Sequence, residues 1–425
     1  MRLLIKNGTV IDPSQSLNGK YDILVEDGRI KDIRSLSIER DCTSIDADGC
    51  YVVPGLIDMH VHLRDPGFEE KEDILTGSEA AAAGGFTSIV CMPNTKPVID
   101  NADTIKYIQK KAEEAITNVY IMGSITKGLT GETLCDYKLL KDAGIVGITD
   151  DGMTVMNAKV MYEALKSAKE SNMLTSVHCE DVNLVYDNSI HQGHVSSQLG
   201  LQGRPSVSED IIVERDILLA ESLKARVHIQ HVASKNSIEL IRRAKMRGVA
   251  VSCEVTPHHF SLWDEYVLTK GTNAKMSPPL RSREDMEAII EGIMDGTVDA
   301  IATDHAPHSD ADKNKDLLYA ANGIVGLETA LGLALTNLVH SGKIDMNKLV
   351  ELMSLNPAKL LGIEKGTLKI GREADITIIH PNKKWIVDKK TFKSKSKNTP
   401  FDGMELTGKT VATIVGGKVV YADER

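Results

Sequence analysis

The sequence predicts an α/β protein in which a (β/α)8 TIM-type barrel is joined to a small β-sandwich domain formed by both chain termini. Three observations support this prediction. Short apolar segments alternate with helical segments through the middle of the chain, strand-like segments with glycine turns lie at both ends, and histidines recur where the predicted barrel strands end. Eight strand–helix units over about 300 residues are typical of a closed parallel barrel.

The middle of the chain supplies the barrel strands. The apolar segments predicted to be strands are residues 55–64, 86–92, 119–125, 145–149, 174–178, 227–232, 249–255 and 300–303. The helices predicted between them include residues 103–115, 158–171, 209–222, 237–246 and 283–294. Because a barrel of this type places its active site where the strands end, the residues at those ends are the functional candidates.

The two ends of the chain are predicted to form one β-sandwich. Residues 1–54 contain strand-like alternation with a hairpin signal at Asp27-Gly28, and residues 365–425 contain further short strands with a turn at Gly416-Gly417. Neither end has many strands of its own, so we expect them to pair. The predicted domains are therefore 1–54 and 365–425 for the sandwich and 55–364 for the catalytic barrel.

Composition and charge exclude several classes of function. The formal net charge is −10 and the sequence pI is about 5.8, which argues against a surface for nucleic acid or anionic membranes. No run of about 18 apolar residues is present, so no membrane span is predicted. The six cysteines form no CxxC pairs, which indicates reduced thiols, and the N-terminus is too polar for a signal peptide. We expect a cytoplasmic protein.

Histidines gather at the predicted strand ends. His60 and His62 are two apart on the first strand, so both project to the same face. Later strands end near His178, His231 and Asp304. Neutral imidazole is the commonest metal ligand, and four histidines with one or two carboxylates suit Zn²⁺. The pattern predicts a zinc site at the barrel mouth, with Asp304 placed to act as a general base.

Strand alternation selects between neighbouring candidates. His228 and His231 are three apart, so on a regular strand they face opposite sides. His231 is nearer the strand end and is the better ligand, whereas His228 is expected to face the helical layer. Asp150 and Asp151 must also point to opposite faces, and spacing alone does not decide which one enters the barrel mouth.

Longer motifs carry a family resemblance over almost the whole chain. The matching segments are residues 58–67, 92–95, 149–152, 178–181, 254–259, 303–308, 323–328 and 396–403. In this order they resemble the amidohydrolase superfamily and, within it, the dihydroorotases of the large bacterial (class I) type. The resemblance implies reversible, zinc-dependent cyclisation of N-carbamoyl-L-aspartate to L-dihydroorotate, a step of de novo pyrimidine (UMP) biosynthesis.

The resemblance also assigns a metal site and a proton-transferring residue. The implied metal ligands are His60, His62, Asp151, His178, His231 and Asp304. His60 and His62 would hold one zinc ion, and the pair His178 and His231 would hold a second, with Asp151 as the bridge. The sequence does not fix whether one or two ions bind. Asp304 would transfer the proton. No lysine lies between Gly144 and Gly152, so the bridge is expected to be a carboxylate and not a carbamylated lysine.

The substrate-binding residues implied by the resemblance lie around the same mouth. They are His62, Arg64, Asn94, Ser277, His308, Asn322 and Gly323. Arg64 and Asn94 would bind the substrate carboxylate, for which a planar guanidinium is well suited. Two positions depart from the family pattern: Ser277 stands where asparagine is usual, and Asn322 lies in an Ala-Asn-Gly sequence that replaces Pro-Phe-Gly.

Two other classes of function stay open at this point. One is another cyclic-amide hydrolase, such as a dihydropyrimidinase, hydantoinase or allantoinase. The other is a catalytically weak structural homologue that partners a pathway enzyme. Against the first, Arg64 and Asn94 provide for a carboxylate that uracil-type substrates lack. The resemblance further implies a small-molecule substrate, a homodimer, and association with another pyrimidine-pathway enzyme as an open question.

Overall fold

The computed structural model describes residues 2–34 and 42–423. Its strands are β1 (Arg2–Lys6), β2 (Thr9–Asp12), β3 (Leu17–Lys20), β4 (Asp22–Glu26), β5 (Arg29–Arg34), β6 (Thr43–Asp46), β7 (Tyr51–Pro54), β8 (Leu56–Val61), β9 (Phe86–Cys91), β10 (Asn118–Gly123), β11 (Gly147–Ile148), β12 (Leu174–Val177), β13 (Val227–Ile229), β14 (Val251–Val255), β15 (Ala300–Ile301), β16 (Ile376–Ile386), β17 (Glu405–Val415) and β18 (Lys418–Ala422).

The α-helices are α1 (Ile74–Gly84), α2 (Ala102–Ala112), α3 (Tyr137–Asp142), α4 (Ala158–Glu170), α5 (His194–Gln198), α6 (Val207–Leu223), α7 (Lys235–Met246), α8 (Val267–Lys270), α9 (Arg283–Asp295), α10 (Asp310–Lys313), α11 (Leu327–Ala334), α12 (Met346–Val350) and α13 (Asn356–Leu361). Wider helical turns over Leu335–Val339 and Glu351–Leu355 continue α11 and α12. Short 3-10 helices cover Pro13–Gln15, Lys127–Leu129, Val182–Leu184, Asp264–Tyr266, Gly271–Ala274 and Lys389–Thr391.

Strands β8 to β15 form one parallel sheet in chain order, which is the predicted barrel. The sheet closes where the chain after β15 returns to β8. Val61 and His305 form a parallel bridge there, and the His62 amide donates to the His305 carbonyl at 2.8 Å. Buried Asp58 strengthens this seam, since its carboxylate accepts from the Thr303 amide at 3.1 Å. The (β/α)8 prediction is confirmed.

Both chain ends contribute strands to the β-sandwich, as the sequence predicts. One sheet has the order β5-β4-β1-β6, and the other has the order β18-β17-β16-β7-β2-β3. In the second sheet β16, from the C-terminal part, pairs antiparallel with β7, from the N-terminal part. The two sheets share a core that includes Leu3, Ile23, Val52, Ile376 and Ile414. This sandwich completes the predicted architecture.

The boundaries of the barrel follow from where strands change sheets. β7 ends at Pro54 in the sandwich, and β8 begins at Leu56 in the barrel. We propose the domains 1–54, 55–364 and 365–425 on this basis. Among the residues that the structure describes, no helix combines the length and apolar character needed to cross a membrane.

Candidate active site

Two histidines at the end of β8 lie on either side of an aspartate carboxylate. His60 Nε2 is 3.3 Å from Asp151 Oδ1, and His62 Nε2 is 3.3 Å from Asp151 Oδ2. All three residues are buried. The alternation of side chains along β8 places His60 and His62 on the inner face, as predicted, and the turn after β11 brings Asp151 to them.

A second histidine pair approaches the same carboxylate from the opposite side of the barrel mouth. His178 follows β12 and His231 follows β13, and His178 Nδ1 lies 3.0 Å from His231 Nε2. Asp151 Oδ1 is 3.5 Å from His231 Nε2 and 3.9 Å from His178 Nδ1. Asp151 therefore stands between two histidine pairs.

The structure also decides between the two adjacent aspartates. Asp150 points away from the histidines, and its carboxylate accepts from the backbone amides of Ile125 at 2.8 Å and Thr126 at 3.0 Å. Asp150 thus holds the turn that follows β10, while Asp151 enters the barrel mouth. This arrangement matches the expectation that only one of the two aspartates enters the barrel mouth.

The ring nitrogens and charges of this cluster fit a bound cation. His60 Nδ1 contacts Glu254 and His62 Nδ1 contacts the amide oxygen of Asn94, so both rings direct Nε2 toward Asp151. His60 Nε2 is buried, and its 3.3 Å contact with Asp151 Oδ1 does not have hydrogen-bond geometry. Burial lowers the pKa of His60, but the Asp151 and Glu254 carboxylates outweigh burial and raise this pKa well above its usual range. The site therefore attracts positive charge, which a metal ion would supply.

Asp304 lies beside the first histidine pair. Its Oδ1 is 3.0 Å from His62 Nε2 and 3.6 Å from His60 Nε2. Burial opposes ionisation of Asp304, but its contact with His62 and the charge of the neighbouring histidines hold its pKa below the usual range. Asp304 therefore remains a carboxylate that can accept a proton next to the cluster of four histidines and Asp151.

Arg64 and His308 lie side by side at the barrel mouth. Arg64 Nε donates to the Pro307 carbonyl at 3.2 Å, and its Nη2 is 3.3 Å from His308 Nε2. Within residues 2–34 and 42–423, no carboxylate lies within ion-pair distance of the Arg64 guanidinium. Burial lowers the pKa of Arg64 to about 10. An unpaired guanidinium of this kind is stabilised by an anionic ligand.

The other predicted substrate contacts are already engaged with protein groups. Asn94 Oδ1 accepts from His62 Nδ1 at 2.9 Å, so Asn94 orients that histidine. Ser277 Oγ accepts from Arg204 Nη2 at 2.7 Å. The Asn322 carbonyl accepts from His308 Nε2 at 2.8 Å, while buried Asn322 Oδ1 has no partner. A serine hydroxyl that accepts one bond retains its own proton for donation.

Comparison with known proteins places this geometry in a family. The sequence pattern described as "Amidohydrolase family" matches residues 51–420. The chain belongs to the amidohydrolase family. A relative named dihydroorotase from Geobacter sp. (strain M21) is 52% identical over 423 residues, which is 99% of each chain. Another dihydroorotase, from Acetivibrio thermocellus, is 51% identical over 424 residues and 99% of each chain. The prediction of a cyclic amide hydrolase of the dihydroorotase type is confirmed.

Solved amidohydrolase structures share the fold. An L-hydantoinase (dihydropyrimidinase) from Arthrobacter aurescens superposes with a TM-score of 0.89 at 29% identity, covering 100% of this chain and 96% of its own. A D-hydantoinase superposes with a TM-score of 0.88 at 26% identity over the same shares. These neighbours belong to the alternative class that the sequence left open.

The orientation of His228 differs from the prediction. His228 was expected to face the helical layer, but its Nε2 is 3.1 Å from Glu254 Oε2 inside the barrel. Strand β13 ends at Ile229, and His231 adopts a positive φ of 32°. The regular alternation therefore stops before His231, and both histidines turn inward.

Glu254 is a buried carboxylate of the candidate site that the sequence reasoning did not assign. It is the penultimate residue of β14 and joins two histidines, since Oε1 is 2.6 Å from His60 Nδ1 and Oε2 is 3.1 Å from His228 Nε2. Burial opposes ionisation, but its contacts with His60 and His228 outweigh burial and lower the pKa of Glu254. The inward position of Glu254 on a strand that ends beside the histidines was the signal that could have identified it.

Removing the Glu254 charge is expected to weaken metal binding. Glu254→Gln retains the shape of the side chain but loses the carboxylate that orients His60, and such outer partners typically contribute about 10–100-fold in metal affinity. Competition with a chelator measures this affinity. Glu265→Gln, an exposed change in the 3-10 helix Asp264–Tyr266, is the matched control. Equal affinity in the two variants would contradict the role of Glu254.

Proposed function

We propose that this amidohydrolase catalyses the reversible cyclisation of N-carbamoyl-L-aspartate to L-dihydroorotate in pyrimidine biosynthesis. The observation that carries the proposal is the Arg64 guanidinium, which has no carboxylate partner in the described chain and faces the mouth beside the metal cluster. A substrate that carries a carboxylate next to a hydrolysable amide would supply that partner. Full-length relatives at 52% identity that are named dihydroorotase support the same activity.

We propose zinc as the metal, with two ions per chain. Two groups of ligand atoms support this number: His60 and His62 with Asp151, and Asp151 with His178 and His231. The nitrogen-rich donor set with a shared carboxylate suits Zn²⁺. When bound, the metal would provide Lewis-acid polarisation of the ring amide and a water molecule with a lowered pKa.

The protein's own residues would then handle the substrate and the protons. In the hydrolytic direction Asp304 accepts a proton from the attacking water and delivers it to the leaving ring nitrogen, while synthesis reverses both transfers. Asp304 is placed for this task because its Oδ1 lies 3.0 Å from Nε2 of His62, a proposed metal ligand. The carboxylate would therefore lie beside the water that the metal would hold. His62 is held in one orientation by Asn94, which keeps the reacting groups aligned.

The substrate side of the mouth would hold the carboxylate and the ring separately. Arg64 and His308 would receive the carboxylate, with Asn94 contributing its amide nitrogen. Ser277 would donate its remaining hydroxyl proton, and the backbone at Asn322 and Gly323 would border the ring. Because Ser277 is shorter than the asparagine usual in the family, we expect weaker contact with the ring there.

A second candidate is a hydantoinase or dihydropyrimidinase activity, which the names of the structural neighbours favour. Their substrates lack the carboxylate that Arg64 would bind, and they are more distant in sequence than the dihydroorotases. A catalytically weak homologue is disfavoured because the ligand residues and Asp304 all converge on one mouth.

Substrate comparison tests this proposal directly. The wild-type protein is expected to hydrolyse dihydroorotate faster than dihydrouracil or hydantoin. Arg64→Ala should lower kcat/KM for dihydroorotate by about 10–100-fold, because a charge-assisted contact is typically worth about 1.5–3 kcal/mol. Zinc content should not change. Faster turnover of dihydrouracil or hydantoin by the wild type would refute the assignment.

The cellular setting belongs to the same proposal. We propose that the protein is a cytoplasmic homodimer. Co-purification tests whether another pyrimidine-pathway enzyme associates with it. The five buried cysteines are free thiols, which suits a reducing compartment: Cys50, Cys91, Cys135, Cys179 and Cys253. Light scattering of the purified protein measures the oligomeric state.

A further inference from the structure

The segment that joins β16 to β17 crosses from the sandwich to the barrel mouth. We call residues 393–398 the connecting strap. The Lys393 amide donates to Glu328 Oε1 at 2.8 Å, and Ser394 Oγ contacts Glu72. Ser396 Oγ donates to the Lys71 carbonyl at 2.7 Å. The strap is therefore fixed to the barrel by several hydrogen bonds before it reaches the active site.

Asn398, at the end of the strap, is bonded to both loops on the substrate side. Its Nδ2 donates to the Ala306 carbonyl at 3.1 Å and to the Gly323 carbonyl at 3.1 Å. Its Oδ1 accepts from the His308 amide at 3.1 Å. Its backbone carbonyl accepts from the Val325 amide at 2.9 Å. Asn398 is 4% exposed, so these bonds compete little with water.

The hydrogen-bonding capacity of this amide is directed at two separate loops. A primary amide has two N–H donors and one carbonyl acceptor. In Asn398, Oδ1 and one hydrogen on Nδ2 bond the segment after β15, which carries His308. The other hydrogen on Nδ2 bonds the segment that carries Gly323. These two loops hold residues that the proposed function places around the carboxylate and the ring. The two loops also bond each other directly, since the Ala306 amide donates to the Ile324 carbonyl at 2.8 Å, and Asn398 adds a link to both loops from the C-terminal part of the chain.

We propose that Asn398 is a positioning residue that holds the His308 loop and the Gly323 loop in register for substrate binding. This inference rests on the proposed function. Asn398 does not touch the metal cluster, so its contribution is to substrate binding and not to proton transfer. Buried Lys313 supports the same arrangement, since its Nζ donates to the Gly323 carbonyl at 3.0 Å.

The effect of Asn398→Ser should appear in KM and not in kcat. Serine cannot reach both loops, and a displacement of about 1 Å in positioned groups can cost about 100-fold. We expect KM for dihydroorotate to rise about 10–100-fold, with kcat within about threefold and zinc content unchanged. Ser396→Ala is the matched control, because it removes a hydrogen bond from the same strap that does not involve either loop. An unchanged KM in folded Asn398→Ser would overturn the proposal.

Two further measurements separate positioning from stability and from the proposed function. In an His308→Ala background, Asn398→Ser should raise KM less than in the wild type, because the two residues act together. Hydrogen exchange of the His308 amide should accelerate in Asn398→Ser and not in Ser396→Ala, whatever the substrate is. Unchanged exchange would overturn the proposal even if dihydroorotate is not the substrate.

A second variant covers the case in which Asn398→Ser does not fold. Asn398→Asp retains the acceptor for the His308 amide but loses both donations, so KM should rise while the His308 amide stays protected. If neither variant folds, Asn398 is a stability residue and the positioning role fails.

Discussion

Asp304→Asn is expected to lower kcat by about 10²–10⁴-fold, the range typical of general acid–base catalysis. Asparagine retains the size of the side chain but cannot accept a proton from water. The structure strengthens the expectation because Asp304 remains ionised beside His62, with its pKa held below the usual range. Steady-state kinetics with dihydroorotate measure the loss.

The control for this variant must preserve the metal. Asp310→Asn is suitable because Asp310 is an exposed residue at the start of α10, outside the cluster. Zinc content of both variants should equal that of the wild type. If Asp304→Asn keeps kcat within a few-fold at full zinc content, another group transfers the proton.

Replacing one histidine from each pair is expected to abolish both metal binding and activity. His60→Ala with His178→Ala leaves Asp151 with one histidine in each ligand group. Structural and catalytic zinc sites need about three or four protein ligands, so neither half-site should retain its ion. Elemental analysis should fall from at least one zinc per chain in the wild type to background levels.

His194→Ala provides the matched histidine control, since His194 is exposed at the start of α5 and contacts neither pair. It should bind zinc and turn over substrate like the wild type. Wild-type metal content and activity in the double variant would exclude these four histidines as the metal site.

Much of the fold and of the cluster could be predicted because strand alternation is a local property. The period of β8 places His60 and His62 on one face, and the structure agrees. The period fails where strands end: His231 has a φ of 32° and Arg64 a φ of 61°, so neither lies on an extended backbone. Arg64 nevertheless reaches the mouth, but the turn and not the strand directs it there.

Local sequence patterns do not predict contacts between segments that are far apart in the chain. Glu254 is 194 residues from His60, and Asn398 is 90 residues from His308. Both lie in motifs that carried the family resemblance, yet nothing in their spacing indicates which side chain they meet. Their partners follow from barrel closure and from the path of the strap, which are tertiary features.

The late position of the strap in the sequence affects the order in which metal binding and substrate binding appear during synthesis. Ribosomal synthesis delivers residues 55–364 before residues 393–398, so a nascent barrel that already has all its metal ligands still lacks Asn398. The loops of His308 and Gly323 are then joined by fewer hydrogen bonds than in the finished protein. Substrate affinity should therefore develop after metal affinity during biosynthesis, which ribosome-stalled chains ending before and after the strap would reveal.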